Sequence, residues 1–122
     1  MKVYFTLFVA VLLFAANTSF SQNHKSVLER VSLAKAGDGA LCVELAWKKG
    51  SENTSYYLVE RSVDGKEFKQ VGLVFTSEDP QFSDYKFRDK NYTISGNAPY
   101  YRIVLVNEQK EMAYLPARQL QP

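Results

Sequence analysis

The chain has 122 residues, with 15 Lys and Arg against 13 Asp and Glu, a formal charge of +2 in which the two signs are interspersed. A balance of this kind, without a basic run or an acidic tail, excludes nucleic acid as a partner. The only cysteine, Cys42, rules out an intramolecular disulfide, and the only histidine, His24, removes Ser-His, Cys-His and multi-histidine metal arrangements.

Met1-Lys2 is a short positive start, and Val3 to Ala16 is apolar except for Thr6. Ser19-Phe20-Ser21 places small residues at the −3 and −1 positions of a signal-peptidase site, so residues 1–21 are read as a signal peptide. The apolar run is shorter than the roughly 20 residues a spanning helix needs, and no membrane span is expected after cleavage. No cysteine follows the run to carry a lipid. The address is export: periplasmic, cell-surface or secreted. Residues 22–26 form a polar, flexible lead-in, and residues 27–120 hold one domain, small enough for a single core.

Val27 to Lys35 fits two patterns equally. Ser26 and Glu29 suit a capping box ahead of a Val27/Val31/Ala34 helical stripe, while Val27, Glu29, Val31 and Leu33 alternate as an edge strand. Ala36 to Gly39 is a turn by composition. Leu41 to Lys48 alternates strictly, with Leu41, Val43, Leu45 and Trp47 on the inward side and Cys42 as a small half-buried hydrophobe on the other. After a polar loop at 50–55, strands at 56–63 and 67–75 flank Asp64-Gly65, which suggests a type I′ turn with both residues at positive φ. Phe68 and Val71 are expected inside, across a local irregularity. Further strands are expected at 84–89, 100–106 and 110–120, separated by loops at 77–83 and 91–99 and a turn at 107–109. About seven strands with turn signals at this spacing predict an all-β, immunoglobulin-like sandwich of two sheets, with Trp47 at the centre of its core.

The segments V-E-L-A-W (43–47), S-E-N (51–53), Y-L-V-E-R-S-V-D-G-K-E-F (57–68), Y-K-F-R-D (85–89) and Y-Y-R-I (100–103) resemble fibronectin type III-like modules of exported Bacteroidetes surface proteins. The resemblance runs from Val27 to Leu120, and its most specific part is the block at 57–68. It implies that residues 27–35 are a strand, and that Tyr101 plays a tyrosine-corner role, its hydroxyl satisfying a backbone group. Such modules often precede a C-terminal sorting domain. None follows here before Pro122, and no enzyme is fused to the module, which leaves it to act alone or with a partner.

No nucleophile elbow, phosphate loop or calcium loop is present, and none of the thirteen acids stands out as half of a catalytic pair, so neither catalysis nor a cofactor or metal is expected. The functional lead is a strip of side chains. In a type III topology the strands at 56–63 and 100–106 are antiparallel neighbours. Placing Glu60 opposite Arg102 also sets Leu58 against Val104, Tyr56 against Val106 and Ser62 against Tyr100, matching charge with charge and apolar with apolar. Tyr56, Leu58, Glu60, Tyr100, Arg102, Val104 and Val106 then form an exposed, largely apolar strip suited to a protein partner in the cell envelope. The alternative is a carbohydrate-binding module that stacks sugars on Tyr56, Tyr92 and Tyr100.

Overall fold

A computed structural model describes residues 28–50, 53–91 and 96–121. Residues 1–21, read as a signal peptide, residues 22–26, read as a lead-in with His24, and Tyr92 lie outside these residues. The described residues form eight strands and no helix: β1 (Leu28–Lys35), β2 (Leu41–Lys48), β3 (Thr54–Ser62), β4 (Lys69–Phe75), β5 (Asp84–Asp89), β6 (Tyr100–Asn107), β7 (Met112–Tyr114) and β8 (Arg118–Gln119). Among them no helix is long and apolar enough to cross a membrane.

The strands make two antiparallel sheets. One has the order β1-β2-β5; the other runs β4-β3-β6-β7, with β8 also on β6. Their inward residues meet in one core: Val43, Leu45 and Trp47 of β2 and Tyr85 of β5 face Tyr57 and Val59 of β3 and Tyr101, Ile103 and Leu105 of β6. Period-two alternation is therefore what builds the fold. Trp47 is 1% exposed, lies edge-on to Tyr57 at 5.5 Å and stacks with Tyr85 at 6.1 Å. Burying an indole of ~150–250 Å² contributes at most about 4–6 kcal/mol.

The segment that alternates and also suits a helix, residues 28–35, is a strand. Its pairing with β2 carries a bulge between Leu28 and Arg30, and Arg118 clasps that irregularity by donating to the carbonyls of Leu28 and Glu29. The expected last strand at 110–120 is broken in two, giving eight strands rather than about seven. Pro116, which has no N–H to donate, lies between β7 and β8.

The turn after β3 is not type I′. Gly65 has φ +79°, but Asp64 does not enter the left-handed region, and the connection spans residues 63–68. The side chains decide it instead. Ser62 Oγ accepts from the Asp64 and Gly65 N–H groups, and Asp64 Oδ1 accepts from those of Lys66 (2.8 Å) and Glu67 (3.0 Å). These bonds from Glu67 and Lys66 hold the Asp64 carboxyl down at about 2. The irregularity expected beyond the turn exists: the register with β4 shifts between Val59 and Glu60, and Val71 packs on the core. Phe68 does not point inward with it; its ring lies against Arg102, on the other face of the sheet.

Tyr101 is buried as expected, but its hydroxyl donates to a side chain, Asp89 Oδ2 at 2.7 Å, rather than to backbone. Arg61 pairs with the same carboxylate, so one group at the end of β5 ties down β3 and β6 of the opposite sheet. Two other tyrosines hold loop backbone: Tyr57 accepts from Gly50 N–H at 2.9 Å and Tyr85 from Ser77 N–H at 3.0 Å. Cys42 is a free thiol and fully buried.

Candidate functional site

Residues paired directly across antiparallel strands project to the same side of a sheet, so the register defines each outer face. Between β3 and β6 the pairs are Tyr56–Val106, Leu58–Val104, Glu60–Arg102 and Ser62–Tyr100, the alignment that charge and apolar matching predicts. The β4 register adds Phe75 beside Tyr56 and Leu73 beside Leu58; the β7 register adds Met112 beside Val106 and Tyr114 beside Val104. Two apolar rows thus cross four strands, Phe75-Tyr56-Val106-Met112 and Leu73-Leu58-Val104-Tyr114. A polar row with Glu60 and Arg102 follows.

The exposure expected of this strip is corrected at its centre. Val104 and Val106 are fully buried and Leu58 is nearly so, although all three lie on the outer side of the sheet. They form a small apolar cluster of their own with Tyr56 packed on it. Solvent instead meets the flanks: Leu73 is 41% exposed, Phe75 72%, Met112 48% and Tyr114 54%. These four, together with Phe68, are absent from the strip read in the sequence. The parity of Leu73 and Phe75 is hidden behind the bulge near Val71, and that of Met112 and Tyr114 behind the turn after Asn107. A signal existed in the last case: Asn107 with Glu111 closes that turn through Glu111 N–H to Asn107 Oδ1 and Asn107 Nδ2 to Glu111 Oε1, with Lys110 at φ 68°.

Polar groups on this face are tightly held. Arg102 Nε donates to Glu60 Oε1 at 2.6 Å, and the Arg102 guanidinium carbon lies 4.1 Å from the Phe68 ring centroid and 4.6 Å from that of Tyr114. The Lys110 ammonium stands 5.1 Å from the centroid of Tyr56, whose ring also meets Phe75 edge-on. The Tyr100 ring is close to the backbone at Gly65, where even a β-carbon would crowd it. Tyr56 and Tyr100 are both half-buried.

The outer face of the other sheet is different in kind. Glu44 accepts from Arg30 at 2.8 Å and Arg88 at 3.0 Å, and Lys48 pairs with Asp84. Arg30 first, then Arg88, holds the Glu44 carboxyl below its usual range. At one end of the molecule a polar cleft of about 510 Å³ is lined by Asn53, Thr54, Ser55, Thr76, Glu78, Glu108 and Gln109. No group of three metal-ligating side chains occurs among the described residues.

The chain is an all-β protein of two facing antiparallel sheets with one apolar and one charged outer surface. No protein-family model matches it, and no curated protein does. Two solved structures share its fold over part of their length. Pectate lyase Pel3 from Pectobacterium carotovorum aligns with a TM-score of 0.54 and 16% identity, covering 80% of this chain and 26% of that one. Pectate lyase PelI from Erwinia chrysanthemi, solved in complex with tetragalacturonic acid, aligns with a TM-score of 0.53 and 17% identity, covering 76% of this chain and 27% of that one. The chain therefore spans about a quarter of either lyase, and at this identity the likeness is one of fold.

Proposed function

We propose that this protein is an exported, non-catalytic sandwich module of the fibronectin type III kind, which binds a protein partner or gives structural support at the cell envelope. Three strands facing a β4-β3-β6-β7 sheet suit the architecture such modules share, and the apolar run at 3–16 suits export. The observation that carries the reading is the contrast between the two outer faces. Leu73, Phe75, Met112 and Tyr114 expose apolar surface around a sealed floor, whereas the opposite face is a ladder of ion pairs.

The strand edges support the same choice, because each is guarded against pairing. β1 carries a bulge and the Arg118 clasp, β4 a register shift, β5 charged side chains at four of its six positions, and β7 is three residues long. Association is left to a face. A photo-crosslinking side chain at Phe75 or Met112, introduced in native envelope, is expected to give adducts, whereas one at Lys86 on the charged face gives none. Phe75→Ser with Met112→Ser is expected to abolish association and to change stability by less than about 1 kcal/mol in urea melts, since both side chains are solvent-facing. Equal adducts from both faces, or retention on glycan columns that these substitutions abolish, would overturn protein docking in favour of non-specific contact or sugar binding.

A further inference from the structure

Arg102 is unlike the other arginines of the described residues. Its Nε is occupied by Glu60, two rings flank its guanidinium, and its two terminal amino groups make no hydrogen bond among the described residues. Arg88 likewise donates through Nε, to Glu44, but the ring contacts on both sides are seen at Arg102 alone among the described arginines. The Arg102 side chain is 28% exposed, so the open edge of its fork is within reach of solvent. A guanidinium held by stacking and by one ion pair loses little freedom when a planar acceptor arrives, and its fork matches a carboxylate.

Resting on the docking reading above, we infer that the partner is a polypeptide segment that lands an Asp or Glu carboxylate on the Arg102 fork and lays apolar side chains along the two rows beyond it. Charge complementarity favours this occupant. Glu60 takes only the Nε edge of Arg102, so the two terminal amino groups are the donors that a second carboxylate complements. Geometry sets the spacing. Along β6 the face-directed residues are Arg102, Val104 and Val106, and two residues of strand advance about 7 Å, so the apolar rows lie about 7 and 14 Å from the fork. An extended segment with the carboxylate at one position and apolar side chains two and four residues on meets all three rows.

The test uses ¹⁵N-labelled protein titrated with acetyl-Glu-Thr-Leu-Thr-Phe-amide and with its Gln counterpart. The acidic peptide is expected to move the Arg102 Nε signal and the amides of β3, β6 and β7, and to bind about tenfold or more tightly than the Gln peptide, the increment for a charge-assisted bond. Arg102→Lys, which keeps the charge but not the fork, is expected to lose that preference while the rest of the amide spectrum stays in place. Equal binding of the two peptides at this face overturns the carboxylate and leaves apolar docking standing. No shift on this face with either peptide overturns both. Self-association that Phe75→Ser abolishes in sedimentation experiments would assign the face to a second copy and overturn the inference in the same way.

Discussion

The Asp89 carboxylate is 2% exposed and serves three groups at once, the Tyr101 hydroxyl, the Arg61 guanidinium and the Asn91 N–H. Taking it away leaves a largely buried cation and a buried phenol without an acceptor, and the cost of an orphaned charge exceeds the value of any single bond it made. Asp89→Ala is therefore expected to lower the unfolding free energy by about 3–5 kcal/mol, against about 1 kcal/mol for Tyr101→Phe, which spares the ion pair. Urea melts of the two variants measure the difference. A loss under about 1 kcal/mol for Asp89→Ala would mean that Arg61 escapes to water. The sequence points to Tyr101 as a buried hydroxyl but assigns it backbone as partner. The actual acceptor stands at the end of a strand in the other sheet, and alternation within one strand carries no information about what faces it across a core.

The two edge strands β4 and β5 come from different sheets and approach each other closely at Gly72. Phe87, paired with Leu45 on the inward side of β5, reaches across so that its ring occupies the space where a side chain at Gly72 would be. Gly72 sits opposite Val59, just past the register shift. Any β-carbon there would overlap the ring and drive it out of its rotamer. Gly72→Ala is expected to cost about 1–3 kcal/mol through overpacking. In a Phe87→Leu background, where the ring is gone, the same substitution is expected to cost clearly less, and a double-mutant cycle from chemical denaturation gives the coupling. Additive losses would mean that the strain at Gly72 is in the backbone. The inward residues of β2, β3 and β6 were legible from sequence because the apolar core face of a strand recurs with period two. The irregularity near Val71 was expected but its effect on parity was not, and the break at Pro116 was not expected at all, since one extra or missing residue reverses parity downstream and only the partner strand reveals it. The flanking members of the proposed docking face, Leu73, Phe75, Met112 and Tyr114, were lost with that parity, while the pairing of its β3–β6 centre was found.

At the scale of the whole molecule, folding and protonation are linked through a few groups at opposite ends of the pH range. Burial pushes the Tyr57 phenol above its usual range against a partly opposing Gly50 N–H, and burial first, then the Asp89 carboxylate, pushes Tyr101 further still. In the unfolded chain both ionise near pH 10. Above that value the unfolded state binds fewer protons than the native state, so stability present below pH 10 is lost as pH rises, by about 1.4 kcal/mol per unit for each phenol. On the acid side the sign reverses. Asp64, held at about 2 by the Glu67 and Lys66 N–H groups, and Glu44, lowered by Arg30 and Arg88, bind protons later in the native state than in the unfolded one. Their contribution is complete above about pH 5 and is lost as pH falls from there toward 2. Urea midpoints between pH 2 and 12 are thus expected to form a plateau from about 5 to 9 with a steeper alkaline limb, because both phenols lie in the core whereas Asp64 is at the surface. Tyr57→Phe separates the groups: it should roughly halve the alkaline slope and leave the acid limb unchanged. An alkaline limb as shallow as the acid one would show that water reaches the phenols before the sheets part, and with it that the core seal around Trp47 opens locally rather than as a unit.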